Sequence, residues 1–471
     1  MGCHLTTPLT FHRAAAMTET TDTRHPREWT PTCEPTAQFL PGHGLSVPEQ
    51  RPRSGGVLVL YFSHGLPFAE NVVEHAKSFK RYSRFPVWNV NTRFPFPPAL
   101  AELDFAAIIL HYSLFGSSTG PLGPILGTPL YLLNQDHVAF LRTSAARKVA
   151  IFQDELSFGR ARWNFSNEFG IDCVYTCLEP SEWDKTWRRY TSVPDLRTTL
   201  PGYVDDGLIE VGRRFAKPAD RRSVDVGYRG RPIPIFMDTS REKTLIGERF
   251  NELAGGSALR LDVSVEEGDR IYGDDWYRFL ADSRTTLGVE SGGSVVDCED
   301  EVRNDYERLV VEQGEVTLDD LRRTSLARWD NLIRYWLIGP RHFEAAALRS
   351  CQVLFEGSYS GAIEPFEHYI PLRKDFSNLD EVLALVRDRR ACEEIAERAY
   401  GRLIASGEFS YRSFIAGVDR DLLEAGLTPE IERREARTIR RAWRRGRRRR
   451  LFEHWFRPRF DRLWARVFGP D

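Results

Sequence analysis

The chain has 471 residues, a formal charge of −2, 41% hydrophobic and 28% charged residues. That is globular composition, long enough for two domains with their own cores. No stretch reaches the roughly 20 apolar residues that span a bilayer. The near-zero charge hides an asymmetry: residues 431–471 hold fifteen Arg against five acids. That tail carries about +10, and the remainder carries the compensating negative charge. Seven cysteines are scattered, and the Cys173/Cys177 pair lacks a second pair or a nearby His to complete a zinc site. A reduced, cytoplasmic protein without a bound metal or cofactor is expected.

Residues 1–54 are rich in Thr, Pro and Arg without an apolar run, which reads as a disordered leader and not as an export signal. Gly56 to Ser63 then forms a continuous apolar run, as in a strand buried on both faces of a parallel sheet. Val72, Val73, Ala76, Phe79 and Tyr82 follow at helical spacing. Further strands are expected at 86–90, 105–111, 148–153 and 173–176, with a helix over 130–141 and another opened by Ser181. Strand alternating with helix predicts a doubly wound sheet. His64, His111, Asp154 and Glu155 all fall where these strands end, at the edge that becomes a crevice in such a sheet. Two His and two acids there are candidates for general acid or base work.

Thr199 to Asp206 carries Pro and Gly and reads as a way out of the first domain, which is expected over 55–205. A second α/β pattern occupies 206–420. Strands are expected at 225–228, 259–263 and 285–289, with helices over 238–253 and 272–280. Arg229, Arg231 and Lys243 lie near the first strand of this set. Glu290, Ser291 and Gly292 begin a Gly/Ser turn that would make an anion site if a helix started there. The charged segment 299–330 reads as a helical surface excursion.

The stretch Gly339 to Leu372 holds a short helix signal carrying Glu344, an apolar strand at 352–355, the loop Glu356-Gly-Ser-Tyr-Ser-Gly361 and a strand at 368–372. Small residues at a strand's carboxyl end let a ligand approach the backbone, and hydroxyls orient it. Asn378, with Glu381 three residues on, caps the next helix, and another spans 392–404. From residue 421 the chain becomes a tail. Arg440 to Arg450 is almost wholly basic, and Trp455, Phe456, Phe460 and Trp464 recur beyond it, a combination suited to an anionic membrane surface. No nucleic-acid reading module accompanies the Arg cluster, so nucleic acid is not expected as a partner.

Glu344-Ala345 followed by a strand, together with Asp375-Phe-Ser-Asn378, resembles the donor-binding part of GT-B glycosyltransferases, in particular the bacterial group that includes the spore-maturation type. The resemblance covers roughly 55–420 in outline. It implies two Rossmann-like parallel-sheet domains facing a cleft, with the acceptor on the first and a nucleotide-sugar donor on the second. Glu344 would hold the ribose, and Arg229, helped by Arg231 and Lys243, would touch the diphosphate. Glu290, Ser291, Gly292, Tyr359, Ser360 and Gly361 would line the donor. Many retaining members carry a second glutamate earlier in this stretch; Trp336 stands there instead. The implied activity is transfer of a sugar to an acceptor hydroxyl, in surface polysaccharide or glycolipid synthesis. The alternatives are a non-catalytic glycan- or membrane-binding protein, or a nucleotide-sugar epimerase or hydrolase.

Overall fold

The computed structural model describes residues 55–63, 70–101, 103–115 and 132–430, with 437, 438, 440, 441 and 444. His64, the leader and nearly all of the basic tail lie outside the described residues. Six parallel strands make the first sheet: β1 (Gly56–Tyr61), β2 (Val87–Asn91), β3 (Phe105–Leu110), β4 (Arg147–Ile151), β5 (Cys173–Thr176) and β6 (Asp195–Thr198), in the order β2-β1-β3-β4-β5-β6. β3 and β5 are buried along their whole length and β1 along all but its last residue, which is why β1 and β3 read as unbroken apolar runs. β6 is an edge strand of sequence DLRT with one buried residue, so it left no apolar signal.

The second sheet holds β7 (Val224–Arg229), β8 (Leu261–Ser264), β9 (Ser283–Gly288), β12 (Cys351–Phe355) and β13 (Ile370–Leu372), in the order β13-β12-β9-β7-β8 and again parallel. Between β9 and β12 the two-residue strands β10 (Ser291–Gly292) and β11 (Trp336–Leu337) pair antiparallel. The fold class read from the sequence, α/β with two doubly wound parallel sheets, is the one present.

Two findings depart from the expected layout. The segment expected as a surface excursion is anchored: Val302, Leu321, Leu326 and Trp329 are buried with Leu58, Ile108 and Trp187 in the core of the first sheet. Its helix Glu301–Gln313 turns Val302, Tyr306 and Leu309 to that core among many charged residues, with Arg303 itself buried, so composition hid the stripe. The helix Tyr411–Glu424 likewise returns to the first sheet, packing Phe414, Ile415 and Val418 against Val57, Phe79 and Val149. The chain therefore passes between the sheets at 199–204 and again at 409–411. These passages lie side by side, with Val204 N–H donating to the Phe409 carbonyl at 2.8 Å and Tyr411 N–H to the Val204 carbonyl at 3.0 Å.

Candidate active site

The segment after β4 lies within electrostatic reach of the helix Glu242–Ala254, which follows β7. Asp154, three residues beyond β4, sits in the left-handed region at φ 52°. This turn of the backbone separates its side chain from that of Glu155. Asp154 is exposed, yet protein crowds it enough for burial to push its carboxyl up from the usual value, with Lys243 and Arg162 pulling the other way. A group that is accessible and crowded lines a crevice. It accepts no hydrogen bond from the described residues.

Glu155 goes the other way. It is fully buried, its carboxylate accepting from Thr176 Oγ1 at 2.7 and 2.8 Å, Cys177 N at 2.8 Å and Trp187 Nε1 at 3.1 Å. Such saturation makes it an anchor of the first sheet, and the catalytic expectation for Glu155 is corrected on that ground.

His111 is also withdrawn from the crevice. It is fully buried, and Ser113 N–H donates to its Nδ1 at 3.2 Å. Nδ1 is therefore the acceptor nitrogen, and Nε2–H donates to Nδ1 of His75 at 2.9 Å. The Nε2 of His75 has no hydrogen-bond partner among the described residues, and the ring stands among Tyr112, Tyr411 and Phe414. Burial lowers the His75 pKa to about 3 and holds His111 well below its ordinary value. Neither histidine reaches a substrate as a base. Asp154 alone of the four catalytic candidates is described and accessible.

On the second sheet, Arg229 is spent on the protein. Its Nη2 donates to Asp262 Oδ1 at 2.7 Å, Nη1 to the Tyr228 and Asp262 carbonyls at 2.9 Å, and Nε to the Asp269 carbonyl at 3.1 Å. Its guanidinium lies over Phe279. With four of five N–H groups engaged, it braces β7 to β8, and the expectation of a diphosphate contact is corrected. Arg231 is exposed on the following loop.

Lys243 is the opposite case. It is half-buried, has no ion pair or side-chain hydrogen bond among the described residues, and burial lowers its pKa. Asp238, Arg341, Asp154 and Glu242 all act on it electrostatically. Of the groups that act on it, Asp154 belongs to the first sheet, so Lys243 is linked electrostatically to that sheet's exposed carboxylate.

The helix Pro340–Ala347 starts on a proline and carries Arg341 and Glu344 three residues apart, hence on one face. Glu344 is half-buried; its Oε2 accepts from Trp276 Nε1 at 2.8 Å, and burial raises its pKa against the pull of that bond and of Arg341. The exposed Arg341 guanidinium stands 5.1 Å from the Trp276 ring centroid and donates to the Arg229 carbonyl. Sequence reading missed Arg341 and Trp276. The three-residue spacing to Glu344 was the signal available for the first.

No helix starts at Glu290–Ser294, so the expected helix-terminus anion site there is corrected. Ser291 and Gly292 pair instead with Leu337 and Trp336. Gly292 sits at φ 107°, and a Cβ there would come within 1.8 Å of the Tyr335 carbonyl oxygen. Glu290 is buried beneath the 356–361 loop: its Oε1 accepts from Ser358 N, Ser358 Oγ and Tyr359 N at 2.8–3.1 Å. It shapes the loop through Oε1. Tyr359 is equally inward, its hydroxyl donating to the Phe355 carbonyl at 2.6 Å. Tyr359, Ser360 and Gly361 all adopt positive φ. For the first two this is strain held by the surroundings. Ser360 Oγ accepts from Ile338 N–H at 3.3 Å, and Gly361 is exposed.

Among the described residues no group of three His, Cys, Asp or Glu could hold a metal ion, and no helix is long and apolar enough to cross a membrane. No protein-family model and no curated protein matches the sequence. Solved structures do resemble the chain. An alpha-glucosyltransferase in complex with UDP is 10% identical with a TM-score of 0.47, over 78% of this chain and 99% of that one. HepE of Anabaena in complex with UDP is 12% identical with a TM-score of 0.41, over 78% and 100%. Sucrose-phosphate synthase of Thermosynechococcus elongatus is 10% identical with a TM-score of 0.39, over 79% and 100%. At such identities and scores, what this chain binds rests on its own residues.

Proposed function

We propose that the chain is a glycosyltransferase of the GT-B type, moving a sugar from a nucleotide-sugar donor to an acceptor hydroxyl. The observation that carries the reading is Lys243, a half-buried cation without an ion pair among the described residues, within electrostatic reach of the exposed carboxylate of Asp154. In this reading Lys243 and Arg341 supply counter-charge to the diphosphate as it leaves, taking the role a divalent ion plays elsewhere. Glu344, oriented by Trp276, accepts from the ribose hydroxyls. Asp154 takes the proton from the acceptor hydroxyl as the new glycosidic bond forms. Membership of the spore-maturation-type group, a hexose as the transferred sugar, and a glycan or lipid-linked acceptor at the cytoplasmic membrane face are the finer parts of the same proposal.

Calorimetry with UDP, GDP and ADP tests it. One nucleotide is expected to bind, and Glu344→Ala to weaken it roughly tenfold, the worth of a charge-assisted hydrogen bond. Failure of all three to bind overturns the reading. Turnover that does not depend on an acceptor would assign the site to a hydrolase or an epimerase.

A further inference from the structure

Beside the nucleotide-facing residues stands an aromatic surface that the reading above does not use. Trp336 on β11 is half-buried, pairs with Gly292 through its backbone, and its indole N–H makes no hydrogen bond among the described residues. A half-buried tryptophan whose N–H is unbonded among the described residues can meet a ligand that is apolar on its face and polar at its rim. The Lys374 ammonium lies 5.9 Å from its ring centroid and 2.6 Å from Glu242 Oε1. Glu242 is nearly buried and directly precedes Lys243, so the Lys374–Glu242 pair and the indole stand at the first turn of the helix that carries Lys243.

The ion pair has spare capacity. Lys374 is half-exposed with one of its N–H groups spent on Glu242, and Glu242 Oε2 takes no hydrogen bond from the described residues. The strained 358–361 loop is tied to the same wall, through Arg334 to Ser358 Oγ at 2.7 Å and Ile338 to Ser360 Oγ. An indole with a cation over its ring and a carboxylate beside that cation offers what recognises a pyranose: apolar surface for its C–H groups, donors and an acceptor for its hydroxyls.

We propose that Trp336, flanked by the Lys374–Glu242 pair, is the platform on which the transferred sugar of the donor rests. The inference builds on the transferase reading and adds the residues that select the sugar. They lie apart from Glu344 and Arg341, which hold the nucleotide.

The test compares each nucleoside diphosphate with its sugar conjugate, using UDP with UDP-glucose, GDP with GDP-mannose and ADP with ADP-glucose, by calorimetry on the full chain. Trp336→Ala is expected to weaken the bound conjugate roughly tenfold while leaving its diphosphate within about twofold, as loss of an aromatic contact predicts. Trp336→Phe retains most of the affinity because the face persists, and Lys374→Met loses the conjugate without the diphosphate. Circular dichroism melts of the Phe and Met variants separate binding loss from unfolding. Equal weakening of diphosphate and conjugate, or no change in either, overturns the platform alone. A wild-type chain that binds none of the three diphosphates overturns the transferase reading and this proposal with it.

Discussion

Trp276 donates its indole N–H to Oε2 of Glu344 at 2.8 Å, and the same ring carries the Arg341 guanidinium on its face. The pair joins the helix Asp274–Asp282 to the helix Pro340–Ala347 and fixes a carboxylate that burial alone would leave free to protonate or rotate. Trp276→Phe keeps the ring under Arg341 and removes only the hydrogen bond. Nucleotide affinity is expected to fall about fivefold, with thermal stability nearly unchanged, since one such bond is worth about 1 kcal/mol net. Calorimetry and a melting curve on the one variant check both halves.

Arg229 and Lys243 make opposite predictions although both are cations near the same crevice. Arg229→Ala strips Asp262 and three carbonyls of their donor and is expected to cost about 2 kcal/mol of stability, read by urea unfolding. Nucleotide binding by the folded protein should change little. Lys243→Ala should leave unfolding almost untouched, because no partner is orphaned, and lower kcat by about 10²-fold. Reversal of these two outcomes would return Arg229 to the diphosphate.

The contrast shows where sequence reading reaches its limit. The buried strands were legible because parallel strands covered on both faces are apolar throughout: the runs at Gly56–Tyr61, Phe105–Leu110 and Cys351–Phe355 stand out in any window. β6 was invisible because an edge strand needs only one buried side, and the helix Gly159–Glu168 was passed over for want of a clear apolar stripe; the helix Asp206–Phe215, whose Leu208, Val211 and Phe215 do recur at helical spacing, was missed where it follows the Pro- and Gly-bearing passage. Site residues were harder. Asp154 and Glu155 are neighbours of like chemistry, and only the left-handed backbone at Asp154 decides which reaches solvent. His111 and Glu290 were chosen for falling at strand ends, a position that also suits a buried group tying two elements together. What a polar side chain is bonded to is a tertiary fact, and composition does not carry it.

Asp154 should set the acid limb of the pH–activity profile. A base works deprotonated, and burial raises this carboxyl above its ordinary 3.8, so activity rises with pH through a midpoint above that value. Asp154→Asn is expected to lower kcat by 10²- to 10³-fold, roughly the worth of general base catalysis, with nucleotide affinity retained. Initial rates across pH 4–8 for both proteins decide it. An unaltered limb in the variant would transfer the role to another group.

The His75–His111 pair makes the fold acid-sensitive. It joins the helix Glu70–Tyr82 to the end of β3 and stands against Tyr411 and Phe414 of the returning helix. Both rings are held neutral by burial, His75 with its pKa lowered from 6.5 to about 3. A group whose folded pKa is depressed below its unfolded value takes up its proton first in the unfolded chain. Its contribution is therefore complete above pH 6.5 and is lost as pH falls from there toward about 3, at up to about 1.4 kcal/mol per pH unit for each histidine. Buried carboxyls such as Glu155, with raised pKa, work in the other direction over part of that range, so the measured slope is the balance. His75→Phe fits the aromatic surroundings and removes one titrating site, while leaving Nε2–H of His111 without an acceptor. It is expected to lower stability at pH 7.5 by about 1–3 kcal/mol and to make the loss between pH 6.5 and 5 shallower than in the wild type. Urea unfolding at a series of pH values measures both the offset and the slope. A variant with the same slope as the wild type would show that acid acts elsewhere in the molecule.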